Sequence, residues 1–466
     1  MSGVFGIYSN ETKDVAGITR FALYSLQHRG QEASGIAVCD EGVISYYKRD
    51  LGLVSDVFTL EDAKKQQGTG NMAIGHVYYG HNGYHKNKAM AQPLVVRHIK
   101  GSMAVALCGK LTNAIKLREE LELGGAIFHS MSDAEVISYL ITRERLTAPS
   151  IELAVSRAVK RLKGAFSLLV MSPRKMVAVR DTKGFRPLSL GKLKDDYVLA
   201  SETCTIDCLG AEFIRDIRPG EVLCIEDNQL RVVDAGTMKP SGLCIFEYIY
   251  LARQDSVIEG VSVHAARRMA GKLLAQEHPV DADVVIGVPE SGLDAAIGYS
   301  QATGIDYGLG FIKNRYIGRT FIQPTHFERE QAVSIKLNVI SNTVYGKRVI
   351  MIDDSIVRGT TTRNIVKLLR SAGAAEVHVR ITSPPFLHPC YFGTDIADTK
   401  NLIAGKMSVA QICNHIGADS LAFLSPDNVS RIAEASGCNF CIGCFNGQYP
   451  CEKPEYTEVD KFEHKL

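Results

Sequence analysis

Two adjacent carboxylates, Asp353 and Asp354, follow the apolar run Val349-Ile350-Met351-Ile352 and precede Ser355-Ile356-Val357-Arg358-Gly359-Thr360-Thr361-Thr362. Hydroxyls and backbone N–H groups opening a helix suit a phosphate. Carboxylates repel one, so the paired acids need a polyol or a metal ion beside it. A sugar phosphate meets both demands, with the acids on ribose hydroxyls and the loop on the 5′-phosphate. Two other readings of the spacing stay open. Asp354 could cap the helix with ordinary first-turn threonines behind it, or the acids could form a pocket of the response-regulator kind.

The elements that must position these residues follow from periodicity. Val349–Ile352 reads as a buried parallel strand, Ile365, Leu368 and Leu369 as a helix face, and Val377–Ile381 as the next strand. This is a βαβ unit with its acids at the carboxyl edge, where open parallel sheets bind ligands. Upstream, Asp283-Val284-Val285-Ile286-Gly287-Val288-Pro289-Glu290-Ser291-Gly292 predicts a second strand, turn and helix. Between the two lies the basic, aromatic segment Lys313-Asn314-Arg315-Tyr316-Ile317-Gly318-Arg319, which reads as a polar loop.

Two further stretches carry reactive groups. Ser2, once Met1 is removed, would hold a hydroxyl beside its own α-amine, the N-terminal nucleophile arrangement; it also reads as no more than a small residue after the initiator. Cys438, Cys441 and Cys444 form C-x₂-C-x₂-C, with Cys451 beyond. That spacing suggests zinc or an iron–sulfur centre, with unligated thiols as the alternative.

At 466 residues the chain can build two or more cores, and 45% hydrophobic with 22% charged content is that of a soluble globular protein. A net charge of +2 gives no reason to expect nucleic acid or a membrane surface as partner. No run reaches transmembrane length and no signal peptide is evident, so a cytoplasmic location is expected, with the twelve cysteines as free thiols or metal ligands.

The string Ile352-Asp353-Asp354-Ser355-Ile356-Val357-Arg358-Gly359-Thr360 closely resembles the 5-phosphoribosyl-1-pyrophosphate (PRPP) motif of type I phosphoribosyltransferases, in the form found in glutamine amidophosphoribosyltransferases of purine synthesis. Upstream, Leu26-Gln27-His28-Arg29-Gly30, Ala91-Gln92-Pro93, Gly109-Lys110-Leu111-Thr112-Asn113, Ser132-Asp133-Ala134-Glu135 and Arg180-Asp181-Thr182-Lys183-Gly184 resemble a class II glutamine amidotransferase domain. The resemblance implies α+β followed by α/β architecture: an Ntn-hydrolase αββα sandwich over 1–238, then a type I phosphoribosyltransferase parallel sheet over 239–466. The boundary falls in the turn-rich stretch Gly236 to Gly242.

The resemblance also implies roles. Asp353 and Asp354 hold ribose. Ser355, Arg358, Gly359, Thr360 and Thr361 hold the 5′-phosphate. The turn with Glu290 and Ser291 wraps pyrophosphate, and Lys313, Arg315, Tyr316 and Arg319 belong to a loop that closes over it. Mg²⁺ is expected near Ser291, Asp353 and Asp354. A [4Fe–4S] cluster maps onto Cys244, Cys390, Cys441 and Cys444, leaving Cys438 and Cys451 spare. PRPP and ammonia are the implied substrates, nucleotides the implied inhibitors, and a homo-oligomer the implied assembly.

The departures concentrate at the glutamine site. The family has cysteine where this chain has Ser2, arginine for the glutamine carboxylate where it has Tyr78, and an oxyanion-stabilising asparagine where it has Cys108. Gly109, Arg29 and Asp133, which in the family contacts the substrate amine, are retained. A serine hydroxyl is a poorer nucleophile toward an amide than a low-pKa thiol, and a lost oxyanion donor costs on the order of 10²–10³ in turnover. The expectation is a divergent member with a degenerate glutaminase, taking nitrogen from free ammonia or a partner glutaminase. A regulatory paralogue that binds PRPP or nucleotides and pairs with an active subunit stays open. So does transfer to a different amine.

Overall fold

The computed structural model describes residues 2–59, 68–80, 87–314, 337–396 and 399–454. Strand Gly3–Lys13 runs through the middle of a seven-stranded antiparallel sheet, between Asp196–Ala200 and Gly70–Tyr78. A six-stranded antiparallel sheet lies against it, with Gly164–Met171 near its middle and Gly101–Leu111 next to the edge strand. Alternation explains the layering, because successive side chains of a strand point to opposite faces. Along Gly101–Leu111, Ala104, Ala106 and Cys108 pack between the sheets with Val4, Tyr8, Met72 and Leu169. Met103, Val105 and Leu107 face outward, under helices Asp133–Thr147 and Ile151–Val159. Helix Val15–Ser25 covers the other sheet through Val15, Ala22 and Leu23 on Phe5 and Ile7. The result is a four-layer αββα sandwich, whose last strand is Gln229–Ala235.

Beyond it, four parallel strands stand in the order Val284–Gly287, Arg348–Asp353, Glu376–Ile381, Ser420–Phe423. Both faces of this sheet are covered, which is why its strands read as unbroken apolar runs. Ile350 and Ile352 pack toward helices Val263–Glu277 and Ser291–Thr303. Val349 and Met351 pack toward Thr360–Ser371 and Val409–Ile416. The first two helices touch backbone to backbone: a Cβ on Gly271 would lie 1.8 Å from the Ala295 carbonyl oxygen, and one on Gly298 2.0 Å from that of Arg268. A short antiparallel ribbon, Phe311–Lys313 with Leu337–Val339, flanks the sheet. The chain returns through a parallel pair, Leu243–Cys244 with Phe440–Cys441, tying the C-terminal region to the start of the second half. Among the described residues, no helix is long and apolar enough to cross a membrane.

Candidate active site

Strand Arg348–Asp353 delivers Asp353 and Asp354 to the carboxyl edge of the parallel sheet, both nearly buried. The Asp354 amide donates to Asp353 Oδ1 at 2.9 Å. Ser291 Oγ donates to Asp354 Oδ1 at 2.7 Å, and Ser355 Oγ to Asp354 Oδ2. Ser291 opens helix Ser291–Thr303, so the upstream turn and the acidic pair form one constellation. The turn is drawn in by the Val288 amide on the Ile352 carbonyl, 2.9 Å. Gly292 permits the approach, since a Cβ there would sit 2.5 Å from the Ile352 oxygen. Burial, reinforced by the neighbouring Asp354 charge, holds the Asp353 carboxyl well above the usual range. Such a group gains from hydroxyl donors or a cation brought to it.

The loop after the acids turns at Gly359, whose φ of +79° favours glycine. Helix Thr360–Ser371 begins there with no side-chain cap, so its first amide groups and the exposed Thr360 and Thr361 face outward beside exposed Arg358. Lys313 reaches Glu290 at 3.5 Å, which places the start of the basic segment at the upstream turn. Arg315, Tyr316 and Arg319 lie outside the described residues.

The N-terminal pocket is built around Ser2, nearly buried at the edge of the sandwich. Cys108 Sγ is 2.8 Å from the Ser2 carbonyl oxygen, and Arg29 Nε donates to the same oxygen at 3.2 Å. Tyr78 ends strand Gly70–Tyr78 and is 6% exposed, packed with Ala33, Met90 and Ala91. Gly109 has φ +133°, and a Cβ there would strike the Ala165 carbonyl oxygen at 2.1 Å. Asp133 heads helix Asp133–Thr147, where its Oδ2 accepts from the Leu111 amide (2.7 Å) and its Oδ1 from Lys110 Nζ (3.1 Å). The carboxylate that resemblance assigns to a substrate amine is thus paired with a lysine of the chain. Lys110 was missed by the sequence reading; its signal was an ammonium closing an otherwise apolar strand.

Arg29 is committed as well. It donates to Glu202 Oε1 and to both oxygens of Glu247, and His28 Nε2 also meets Glu202 at 2.7 Å. Burial alone would raise the Glu202 carboxyl, but the bonds from His28 and Arg29 hold it well below its usual range. Arg186 also donates to Glu247 Oε1, 2.9 Å, and to the Phe392 carbonyl at 2.8 Å. Glu202, Glu247 and Arg186 were likewise given no role, since each finds its partner far along the chain.

Arg186 leads to the cysteines. Cys244 pairs in register with Cys441 in the short parallel ladder, and the Leu387 and His388 amides donate to the Cys444 carbonyl. Burial pushes the Cys244 thiol up to about 11, opposed by the Arg186 charge, with Cys390 adding to the rise. Burial also raises Cys441 and Cys444, each further raised by the other thiols of the set. Cys244, Cys390 and Cys444 pack against one apolar cluster, and Cys390 also packs against the small cluster that holds Cys441. Among the described residues, no three of His, Cys, Asp and Glu converge closely enough for a single metal ion.

The layers and edges above define a class, a glutamine-amidotransferase-type sandwich joined to a phosphoribosyltransferase sheet. Residues 83–207 match the family model described as a glutamine amidotransferase domain. The amidophosphoribosyltransferase of Bacillus subtilis strain 168 is 46% identical over 97% of this chain and 94% of its own. That of Methanocaldococcus jannaschii is 45% identical over 97% and 98%. The solved B. subtilis glutamine PRPP amidotransferase, complexed with ADP and GMP, superposes with a TM-score of 0.89 at 45% identity, covering 98% of this chain and 99% of that one. The chain belongs to the amidophosphoribosyltransferase family, enzymes that transfer a phosphoribosyl group.

Proposed function

We propose that this chain transfers the phosphoribosyl group of PRPP to ammonia, giving 5-phosphoribosylamine and pyrophosphate, with glutamine hydrolysis lost or very weak. The observation that carries the transferase reading is the convergence of Asp353, Asp354 and Ser291 at the carboxyl edge of the parallel sheet, beside an uncapped helix start at Gly359. Asp353 and Asp354 accept from the ribose hydroxyls. Ser355, Arg358, Gly359, Thr360 and Thr361 take the 5′-phosphate on their hydroxyls, amides and guanidinium. Glu290 and Ser291 place the upstream turn against the pyrophosphate, Lys313, with Arg315 and Arg319 of the same segment, offsets its charge, and Tyr316 is a contact of the closing loop. The bond from C1 to pyrophosphate oxygen breaks, its electron pair leaves with pyrophosphate, and the ammonia lone pair forms the new C–N bond. Nitrogen then sheds a proton to solvent or to the leaving group. Mg²⁺, held near Ser291, Asp353 and Asp354, supplies further positive charge to the leaving group when bound.

Loss of glutamine chemistry rests on Ser2, Tyr78 and Cys108 together with the occupied Asp133 and Arg29. The retained sandwich then serves as a scaffold, and ammonia comes free from solution or from a partner glutaminase. Cys244, Cys390, Cys441 and Cys444 suit a [4Fe–4S] cluster: four soft donors, Cys441 buried and the other three half-buried, with Arg186 to offset thiolate charge. Its proposed role is structural, clamping the C-terminal segment to the core. The boundary is placed between 238 and 239, the molecule works in the cytoplasm as a homo-oligomer, and purine nucleotides, bound as ADP and GMP in the B. subtilis relative, are its proposed inhibitors.

The test is PRPP-dependent pyrophosphate release with ammonium chloride, with glutamine, and with neither. Release with ammonium alone is expected. Tight PRPP binding without release would transfer the role to a regulatory paralogue, and glutamate formed from glutamine would restore the glutaminase.

A further inference from the structure

Lys110 extends a series. Ala104, Ala106 and Cys108 of strand Gly101–Leu111 all point between the two sheets, and residues two apart on a strand share a face. The Lys110 side chain therefore follows Cys108, whose sulfur touches Ser2, toward the end of the inter-sheet layer. There its ammonium lies 3.1 Å from an Asp133 carboxylate that is 5% exposed. The other carboxylate oxygen takes the Leu111 amide, and the group stands in the first helical turn, where aligned peptide dipoles favour negative charge. A buried carboxylate so arranged is a receptor for one ammonium, and the chain supplies that ammonium itself. A tethered cation competes at an effective concentration in the millimolar range or above, so a free one at similar concentration is displaced.

The opposite charge of an amino acid fares no better. Arg29, the cation that touches Ser2, is already bonded to Glu202 and Glu247, and Tyr78 brings no charge. We propose that Lys110 is a built-in occupant of an ammonium subsite, and that its pairing with Asp133 bars zwitterionic amino acids from the Ser2 pocket. Small uncharged molecules, ammonia among them, meet no such barrier. The inference rests on the reading that the sandwich no longer hydrolyses glutamine, and it names the contact that keeps glutamine out.

The test uses the full chain and thermal denaturation. Lys110→Ala lowers Tm by about 2–4 °C. Methylammonium chloride restores most of that loss, whereas sodium chloride at equal ionic strength does not, and Lys110→Ala with Asp133→Asn gains nothing from either. Equal responses to the two salts overturn the ammonium subsite. For the exclusion, L-glutamine gives a saturable rise in Tm in Lys110→Ala with Tyr78→Arg but not in Tyr78→Arg alone. Equal responses with and without Lys110, or a glutamine response in the wild-type chain, overturn it. Glutamate formation is assayed separately and decides only the underlying reading, because methylammonium rescue does not depend on hydrolysis.

Discussion

A single carboxylate decides the transferase pocket. Asp354 is held by Ser291 and Ser355, so its position survives conversion to asparagine while its charge does not. A hydrogen bond to a charged group is worth about 1.5–3 kcal/mol, which converts to a fall of roughly 10- to 150-fold in kcat/KM for PRPP. Steady-state pyrophosphate release by Asp354→Asn should show that fall with little change in Tm; an unchanged kcat/KM would remove Asp354 from the site. His76 behaves differently. Its Nε2 meets the Leu107 carbonyl at 3.0 Å, its Nδ1 is buried without a partner among the described residues, and burial pushes its imidazole down to about 4. The unfolded chain takes up that proton near pH 6.5 and the folded chain does so only near 4. Across that window the unfolded state binds more protons, so stability is full above pH 6.5 and declines as pH falls toward 4, by up to ~3 kcal/mol. Denaturant unfolding at stepped pH, compared with His76→Asn, should lose this part of the slope. Parallel pH profiles for the two proteins would show the histidine to be irrelevant.

Elements place such residues, and the parallel sheet does so through glycine. Gly359 turns the phosphate loop with a left-handed φ, and its missing Cβ leaves room for Ile403 Cδ1, which would stand 2.8 Å away. Gly359→Ala adds about 1–2 kcal/mol of backbone strain and pushes the helix start off Ile403. A several-fold rise in KM for PRPP is therefore expected, with Tm reduced, and an alanine variant with native KM would show that the turn does not position the phosphate site. This unit was readable from sequence because its information is local. An unbroken apolar run marks a doubly covered strand, two acids mark its end, and a Gly-Thr-Thr-Thr string marks the helix start. The sandwich's pocket was readable only as a set of departures. Lys110 and Asp133 are 23 residues apart, and Arg29 and Glu247 are 218 apart. No periodicity announces such meetings, since they depend on which strand lies beside which. Resemblance preserved Asp133 and Arg29 by type while leaving unsaid that both already have partners.

On the scale of the molecule, Glu247 joins the halves. It belongs to the short helical segment Glu247–Leu251 that follows the sandwich, yet it bonds Arg29 and Arg186, both sandwich residues. Arg186 in turn reaches the Phe392 carbonyl, two residues from Cys390, so one buried chain of charges runs from Ser2 to the thiols. Within it, Arg29 and Arg186 balance Glu202 and Glu247, with every one of the four side chains fully buried. Glu247→Gln leaves one positive charge uncompensated, and breaking a buried pair this way costs roughly 3–5 kcal/mol. Arg29→Met leaves a negative charge uncompensated and should cost a similar amount. Combining them restores neutrality among the remaining Arg186 and Glu202, so the double variant should be more stable than the sum of the single losses predicts, by about 0.5–3 kcal/mol. Denaturant midpoints of the four proteins close the cycle. Strict additivity would mean that Arg29 and Glu247 are neighbours without being energetic partners, and the polar tie between the halves would then rest on Arg186–Glu247 and Arg180–Glu259.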